Sequence, residues 1–206
     1  MNDSDTIVFG VPGSGTTYIW QIIRELFPAT EVKHVHNFYP EKDNRKIVVC
    51  IRDFRECLAT MIRHNREKSK ADILFSEQEV TYHLDYILTT VKELDTFCNR
   101  ENINALVLRY DRFDEDNYLM NNISSYFQID ISQPERERIL EQYSKAANIL
   151  LSEKYKDFTE YDPQFHIHGN HIYTGNKGWR EMLLPGLQKL VNTTLQLHLI
   201  QYGYEP

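Results

Sequence analysis

The chain has 206 residues, 41% hydrophobic and 26% charged, which are proportions typical of a globular protein. They exclude a disordered or collagen-like chain, and no run approaches the roughly 18 uncharged apolar residues that a membrane span needs. The length fits one domain covering residues 1–206. The acidic start runs directly into a strand-like segment, so we expect no signal peptide. The three cysteines, Cys50, Cys57 and Cys98, lack metal-site spacing, so we expect reduced thiols in a cytoplasmic protein.

The charge is unevenly distributed. Lys and Arg number 23 against 30 Asp and Glu, a net charge of −7, which argues against a nucleic-acid or membrane-surface partner. Residues 33–70 nevertheless hold ten basic against five acidic side chains. This block indicates a pocket for a small polyanion, and the alternative is a solvated charged helix face.

In chain order, apolar runs alternate with helical patterns. Strands are predicted at residues 6–11, 31–36, 46–51 and 105–109. Helices are predicted at residues 16–27, from the third strand to residue 66, from the capping box at Ser76 to residue 99, and from Ser132 and Pro185 onward. Polar loops are predicted at residues 39–45 and 67–75. This alternation predicts an α/β, three-layer fold, with a central parallel sheet of about four or five strands flanked by helices. The segment that follows the first strand is what makes the expected fold P-loop-containing.

The most informative segment is Gly10-Val-Pro-Gly-Ser-Gly-Thr-Thr17, which lies between a buried strand and a helix. Small residues allow consecutive backbone N–H groups to converge on an anion, and the helix N-terminus adds partial positive charge. The alternative is a glycine-rich turn without a ligand. The residues that we expect to contact a phosphate are Pro12, Gly13, Ser14, Gly15, Thr16 and Thr17.

The same loop argues against ordinary ATP or GTP chemistry. Its spacing follows the nucleoside-triphosphate pattern, but Thr16 occupies the position of the lysine that reaches the β- and γ-phosphates. No acidic residue clearly ends a strand as a magnesium ligand, since Asp53 is flanked by Arg52 and Arg55.

A second phosphate site is predicted after the third strand. Arg52 follows that strand directly, and Thr60 lies eight residues later on the adjoining helix. A guanidinium can fork onto phosphate oxygens while the hydroxyl reaches the same group. The alternative for Arg52 is an ion pair with Asp53 or Glu56. Two separated sites would suit a nucleotide that is phosphorylated at two positions.

Together these segments resemble the sulfotransferases that use 3′-phosphoadenosine 5′-phosphosulfate (PAPS). The family's 5′-phosphosulfate loop, Pro-Lys-Ser-Gly-Thr-Thr-Trp, is similar to Pro12-Gly-Ser-Gly-Thr-Thr-Tyr18. Its Arg and Ser that bind the 3′-phosphate correspond to Arg52 and Thr60. Two weaker likenesses are Arg109-Tyr110-Asp111 and Gly175-Asn-Lys-Gly-Trp-Arg180.

The resemblance implies that PAPS is the cosubstrate and adenosine 3′,5′-bisphosphate (PAP) the product. Tyr18 and Tyr110 would flank the adenine, and Gly175 and Lys177 would lie at the 3′-phosphate. The chain departs from the family at Gly13, which replaces the lysine that stabilises the transferring group. It also has Tyr173-Thr174 where the family has Arg-Lys.

The resemblance further implies a histidine as general base at the end of the second strand. His34 and His36 share one face of that strand, and we favour His36 because it lies nearer the ligand-binding edge of the sheet. An imidazole suits this role because its ordinary pKa is close to neutrality. The cluster His166-Ile-His-Gly-Asn-His171 could share a metal with these two, although surface or acceptor-pocket histidines are the preferred interpretation.

The sequence therefore predicts a sulfotransferase that moves a sulfonyl group from PAPS to a hydroxyl or amine on a small-molecule or glycan acceptor. We expect no nucleic-acid or membrane partner, and the loops at residues 67–75 and 152–174 would shape the acceptor pocket. Two alternatives stay open, namely a small-molecule kinase with a degenerate phosphate loop and a nucleotide-binding module without turnover.

Overall fold

The computed structural model describes residues 5–37, 45–66, 70–99 and 104–205. Its central sheet has four parallel strands in the order β2-β1-β3-β4. The predicted α/β class and central parallel sheet are confirmed. The strands are β1 (Thr6–Gly10), β2 (Val32–Val35), β3 (Lys46–Ile51) and β4 (Ala105–Arg109).

Eight helices are found within these described ranges, and several begin where the sequence predicts. Ser76 forms the expected capping box with Glu79, Ser132 is the N-cap of the fifth helix, and Pro185 opens the last. The helices are α1 (Thr16–Leu26), α2 (Phe54–His64), α3 (Glu77–Cys98), α4 (Tyr118–Phe127), α5 (Gln133–Gln142), α6 (Lys145–Ser152), α7 (Trp179–Met182) and α8 (Pro185–Gln201).

A small antiparallel pair, β5 (Tyr161–Asp162) and β6 (Ile167–His168), lies between α6 and α7. The sequence analysis assigned this region to loops, because two-residue strands leave no alternating pattern to detect. The predicted loop at residues 39–45 lies outside the described residues except for Arg45, and so do the first three residues of the loop at 67–75.

Helices cover both faces of the sheet, which explains why its strands are continuous apolar runs. On one face, Phe9 and Val49 pack with α2, α3, α7 and α8. On the other, Val8 and Val48 pack with α1, α4 and α5. Among the described helices, none is both long and apolar enough to span a bilayer.

The strand order determines where polar side chains can meet. Because β1 lies between β2 and β3, the segments that follow these three parallel strands emerge side by side at one edge of the sheet. The Gly10–Thr17 loop follows β1, His36 follows β2 and Arg52 follows β3. A short 3₁₀ turn, Tyr110–Arg112, follows β4 at the same edge.

Candidate functional site

The loop between β1 and α1 has the geometry of an anion-binding turn. Gly13 and Gly15 have φ values of 84° and 92°, which L-residues with a side chain rarely adopt. Gly15 is the N-cap of α1 and provides no side-chain cap, so the first backbone N–H groups of the helix lack a capping partner. The loop thus presents N–H donors and the positive end of the helix dipole at the sheet edge.

Ser14 gives a second, independent sign of a ligand at this turn. Its side chain is fully buried at 0% exposure, and its Oγ has no hydrogen-bond partner. Because a buried hydroxyl without a partner is costly, such a group is expected to have a partner that the protein alone does not supply. An anion in the loop would supply it.

Arg52 links the loop to α2. Its Nη1 donates to the carbonyl of Gly13 at 2.9 Å and lies 3.4 Å from the Thr60 hydroxyl. Its guanidinium also stacks 4.4 Å from the centroid of the Tyr110 ring. The alternative ion pair exists only at long range, 3.9 Å to Glu56. Arg52 and Thr60 therefore lie close together beside the Gly10–Thr17 loop, and their binding of a phosphate stays a prediction.

An aromatic group lies on the outer side of the same loop. Tyr110 packs so closely that a Cβ at Gly15 would lie 2.6 Å from its ring, which requires glycine at that position. Tyr18 and Tyr110 do not stack directly; both contact Phe113, with ring centroids 6.0 and 5.2 Å apart, respectively. Burial, with Asp114 and Tyr110 nearby, raises the pKa of Tyr18 to about 12. Phe113 was missed because an aromatic in a short turn carries no periodic signal.

The two histidines of the β2 region make different contacts with the loop. His36 lies 2.8 Å from the Gly10 carbonyl through Nδ1. Because a carbonyl only accepts, Nδ1 carries the proton and Nε2 keeps its lone pair. His34 lies 2.7 Å from the Thr16 hydroxyl through Nε2. Burial lowers the pKa of His36, although the Gly10 carbonyl opposes this effect, and burial also lowers the pKa of His34, to about 3.

This pair belongs to a wider histidine cluster, in which the Phe158 ring contacts three of the members. The cluster is formed by His34, His36, His64, His166, His168 and His171. Phe158 stacks on His64 and His168 at centroid distances of 4.3 and 4.2 Å, and His34 lies 6.4 Å from His166. His166 of the 166–171 segment thus lies near the strand pair. Within the described part of the chain, no group of three or more His, Cys, Asp or Glu side chains is arranged to hold a metal ion.

The segment at residues 173–178 lies against α2, and the side chain of its Lys177 contacts Asp72. The Lys177 ammonium is exposed and donates to the Asp72 carbonyl at 3.2 Å. The Tyr173 hydroxyl folds over Gly175 and donates to Asp72. These contacts hold Gly175 and Lys177 in a closed turn.

Arg63 anchors that turn, and the sequence analysis did not identify it. It is 6% exposed, donates to the Lys177 carbonyl at 2.6 Å and stacks 3.8 Å from the Tyr173 ring. Its Nε is buried without a partner. The available signal was its position, three residues after Thr60 on the same helix face.

Comparison with known proteins identifies the fold. No protein-family model and no curated protein sequence matches the chain. The crystal structure of mouse sulfotransferase SULT7A1 complexed with PAP is similar, with a TM-score of 0.67 and 13% identity over 97% of this chain and 84% of that one. Retinol dehydratase in complex with androsterone and inactive cofactor PAP gives a TM-score of 0.65 and 13% identity over 97% and 81%. The chain therefore has the sulfotransferase fold, as its motifs predict.

Proposed function

We propose that this protein is a PAPS-dependent sulfotransferase, which transfers a sulfonyl group to a hydroxyl or amine of a small-molecule or glycan acceptor. The observation that carries the proposal is the loop at Gly10–Thr17, with its buried, unpartnered Ser14 hydroxyl between His36 on one side and Arg52 on the other. The similar structures with bound PAP support it at the level of the fold.

The described residues fit a nucleotide with phosphates at the 5′ and 3′ positions. The loop N–H groups, with Ser14, Thr16 and Thr17, would hold the 5′ end. Arg52 and Thr60, whose Nη1 and Oγ1 atoms lie 3.4 Å apart, would hold the 3′-phosphate. Tyr18, Tyr110 and Phe113 would enclose the adenine. When bound, PAPS supplies an activated sulfonyl group whose sulfur accepts a nucleophile.

His36 is the proposed general base. Its Nδ1–H is held by the Gly10 carbonyl, so Nε2 is the free atom that accepts the proton of the acceptor. The acceptor oxygen or nitrogen bonds to sulfur in line as the bond from sulfur to the 5′-phosphate oxygen breaks. The loop N–H groups and the hydroxyls of Thr16 and Thr17 receive the charge that grows on that oxygen, and PAP leaves.

The histidine cluster is the proposed acceptor side of the site. Its ring contacts begin at His34 and His36 and continue to His166. They pass from His166 through Tyr161 and His168 to Phe158, in the segment predicted to shape the acceptor pocket. Burial lowers the pKa of His34, His64 and His171, which keeps these three imidazoles neutral near pH 7. These three rings therefore offer hydrogen-bonding groups without a charge.

The first test is calorimetric titration with PAP and, separately, with ATP and magnesium. We expect PAP to bind and ATP to bind weakly, because the triphosphate-binding lysine is replaced by Thr16. Turnover of PAPS with a panel of phenols, amines and sugars would then identify the acceptor. Preferential binding of ATP would favour the kinase alternative, and failure to bind either nucleotide would reject the proposal.

A second candidate, a PAP-binding module without turnover, is favoured by one observation. Gly13 stands where the family has its catalytic lysine, and its φ of 84° disfavours a side chain there. PAP binding with no sulfonyl transfer to any acceptor, and no PAPS hydrolysis, would support this candidate over the first.

A further inference from the structure

His34 occupies a position that the proposed mechanism leaves unused. It lies opposite Val8 in the parallel pair β1–β2, one residue pair before that strand end, and its Nε2 is 2.7 Å from the Oγ1 of Thr16. Thr16 is the first residue of α1, is 2% exposed and belongs to the phosphate loop. His34 therefore contacts the phosphate loop through the side chain of Thr16.

We propose that His34 is a positioning residue that donates its Nε2–H to Thr16, so that the single hydroxyl proton of Thr16 is directed at the 5′-phosphate oxygen. The inference rests on the proposed function, because it assigns a role within that site. The two histidines then have different roles. His36 takes the proton of the acceptor, and His34 orients the hydroxyl that contacts the leaving phosphate.

The direction of this hydrogen bond decides what the loop presents to an anion. A threonine hydroxyl has one proton and two lone pairs. If the imidazole accepted, the Thr16 proton would point away from the loop and its lone pairs would face the anion. If the imidazole donates, the proton is free for the phosphate, and the two consecutive hydrogen bonds strengthen each other. Only the second arrangement stabilises a bound phosphate.

The surroundings of His34 keep the ring neutral, with a single N–H to donate. Burial is the largest cause that disfavours the imidazolium and lowers the pKa of His34, and His36, His166 and His168 add to this effect electrostatically. His36 lies 4.8 Å away between ring centroids, and its own Nδ1–H is already donated to Gly10. Both rings are therefore fixed to the same loop, through different atoms.

The His34–Thr16 hydrogen bond also bears on the loss of the family's lysine, which Gly13 replaces in this chain. Gly13 has no side chain that could place a donor on the leaving oxygen, whereas the Thr16 hydroxyl, oriented by His34, supplies one. A neutral donor chain stabilises charge less than a lysine does, but it needs no substitution at a left-handed backbone position.

The test measures the PAP dissociation constant by calorimetry for the wild type, His34→Phe, Thr16→Val and the double variant. Each single variant is expected to bind PAP on the order of ten- to a hundredfold more weakly, the usual effect of losing a hydrogen bond to a charged group. The double variant is expected to bind no more weakly than Thr16→Val, because His34 acts through Thr16. His34→Gln, which retains an N–H donor, is expected to recover part of the affinity.

The outcomes separate this inference from the proposed function. If the wild type does not bind PAP, both fail. If the wild type binds and His34→Phe binds equally tightly, only the role of His34 is overturned. Loss of turnover at unchanged PAP affinity in His34→Phe also overturns it, because His34 would then act on the acceptor. Should His34→Phe fail to fold by thermal unfolding, Thr16→Val decides, and unchanged PAP affinity in that variant overturns the inference.

Discussion

Gly13 allows the sharpest test of how the phosphate loop is built. Its φ is 84°, and a Cβ at this position would lie 3.0 Å from both the Cβ and the Cγ2 of Thr60. The left-handed backbone costs a non-glycine residue about 1–2 kcal/mol. Crowding against a packed neighbour adds about 1–3 kcal/mol. Gly13→Ala is therefore expected to lower the free energy of unfolding by about 2–5 kcal/mol, and to weaken PAP binding because Thr60 is displaced.

Gly186 provides the matched control. It lies in the first turn of α8, and a Cβ there would meet nothing within 4 Å. Gly186→Ala is expected to leave the unfolding free energy unchanged or to raise it by up to about 1 kcal/mol, because alanine is the better helix former. Both variants are compared with the wild type by chemical denaturation and by titration with PAP.

Gly13→Lys carries the same Cβ and the same backbone cost, so its comparison with Gly13→Ala isolates the effect of the charge. We expect both variants to be destabilised to a similar extent. Any gain in turnover of Gly13→Lys is therefore measured relative to Gly13→Ala. An unfolding free energy for Gly13→Ala equal to that of the wild type would refute the reasoning, since the loop could then hold a side chain at this position.

Three further predictions follow from buried polar groups. His36→Ala should abolish sulfonyl transfer while PAP still binds, and the acid limb of the wild-type rate profile should lie below pH 6.5 because the pKa of this base is lowered. The unfolding free energy should fall as pH drops below 6.5, because His34 and His64, whose folded pKa values are about 3 and 4, take up protons more readily when unfolded. Each contributes about 1.4 kcal/mol per pH unit, and His64→Phe should make the measured slope shallower; an unchanged slope would contradict the assignment. Gln21→Leu should cost about 1–3 kcal/mol, because it leaves the buried Asn148 Oδ1 without its donor, and adding Asn148→Leu should recover part of the loss.

The parts of the fold that sequence predicts best are those with a strong local signal. After Lys46, the strand at residues 46–51 is continuously apolar because helices cover both sides of the sheet. The helix that begins after Ser76 carries its own cap. The β5–β6 pair has no such signal, since four residues cannot show a period. Its position depends on contacts far away in the chain, such as Gln21 with the Phe165 carbonyl.

The candidate site likewise contains positions that the sequence predicts and side-chain contacts that it does not. The glycines of the loop and Arg52 lie next to strands, so their positions follow from the order of elements. Which partner each side chain takes does not follow from sequence, because His34 and His36 share a strand face yet contact different atoms of one loop. Arg63 was likewise hidden, since its partners lie more than 100 residues away. Side-chain pairing across the fold is set by packing, which no local pattern encodes.

The packing of α8 has a consequence for synthesis. Val191, Leu195 and Leu199 complete the same apolar face that holds Ile7 and Phe9 of the first strand. During translation, the loop, His36, Arg52 and Thr60 have all been made by residue 64, whereas α8, the last helix to cover this face, follows more than 120 residues later. Until α8 leaves the ribosome, the apolar side chains that it covers stay exposed, and incompletely covered apolar surface of this kind promotes association of nascent chains.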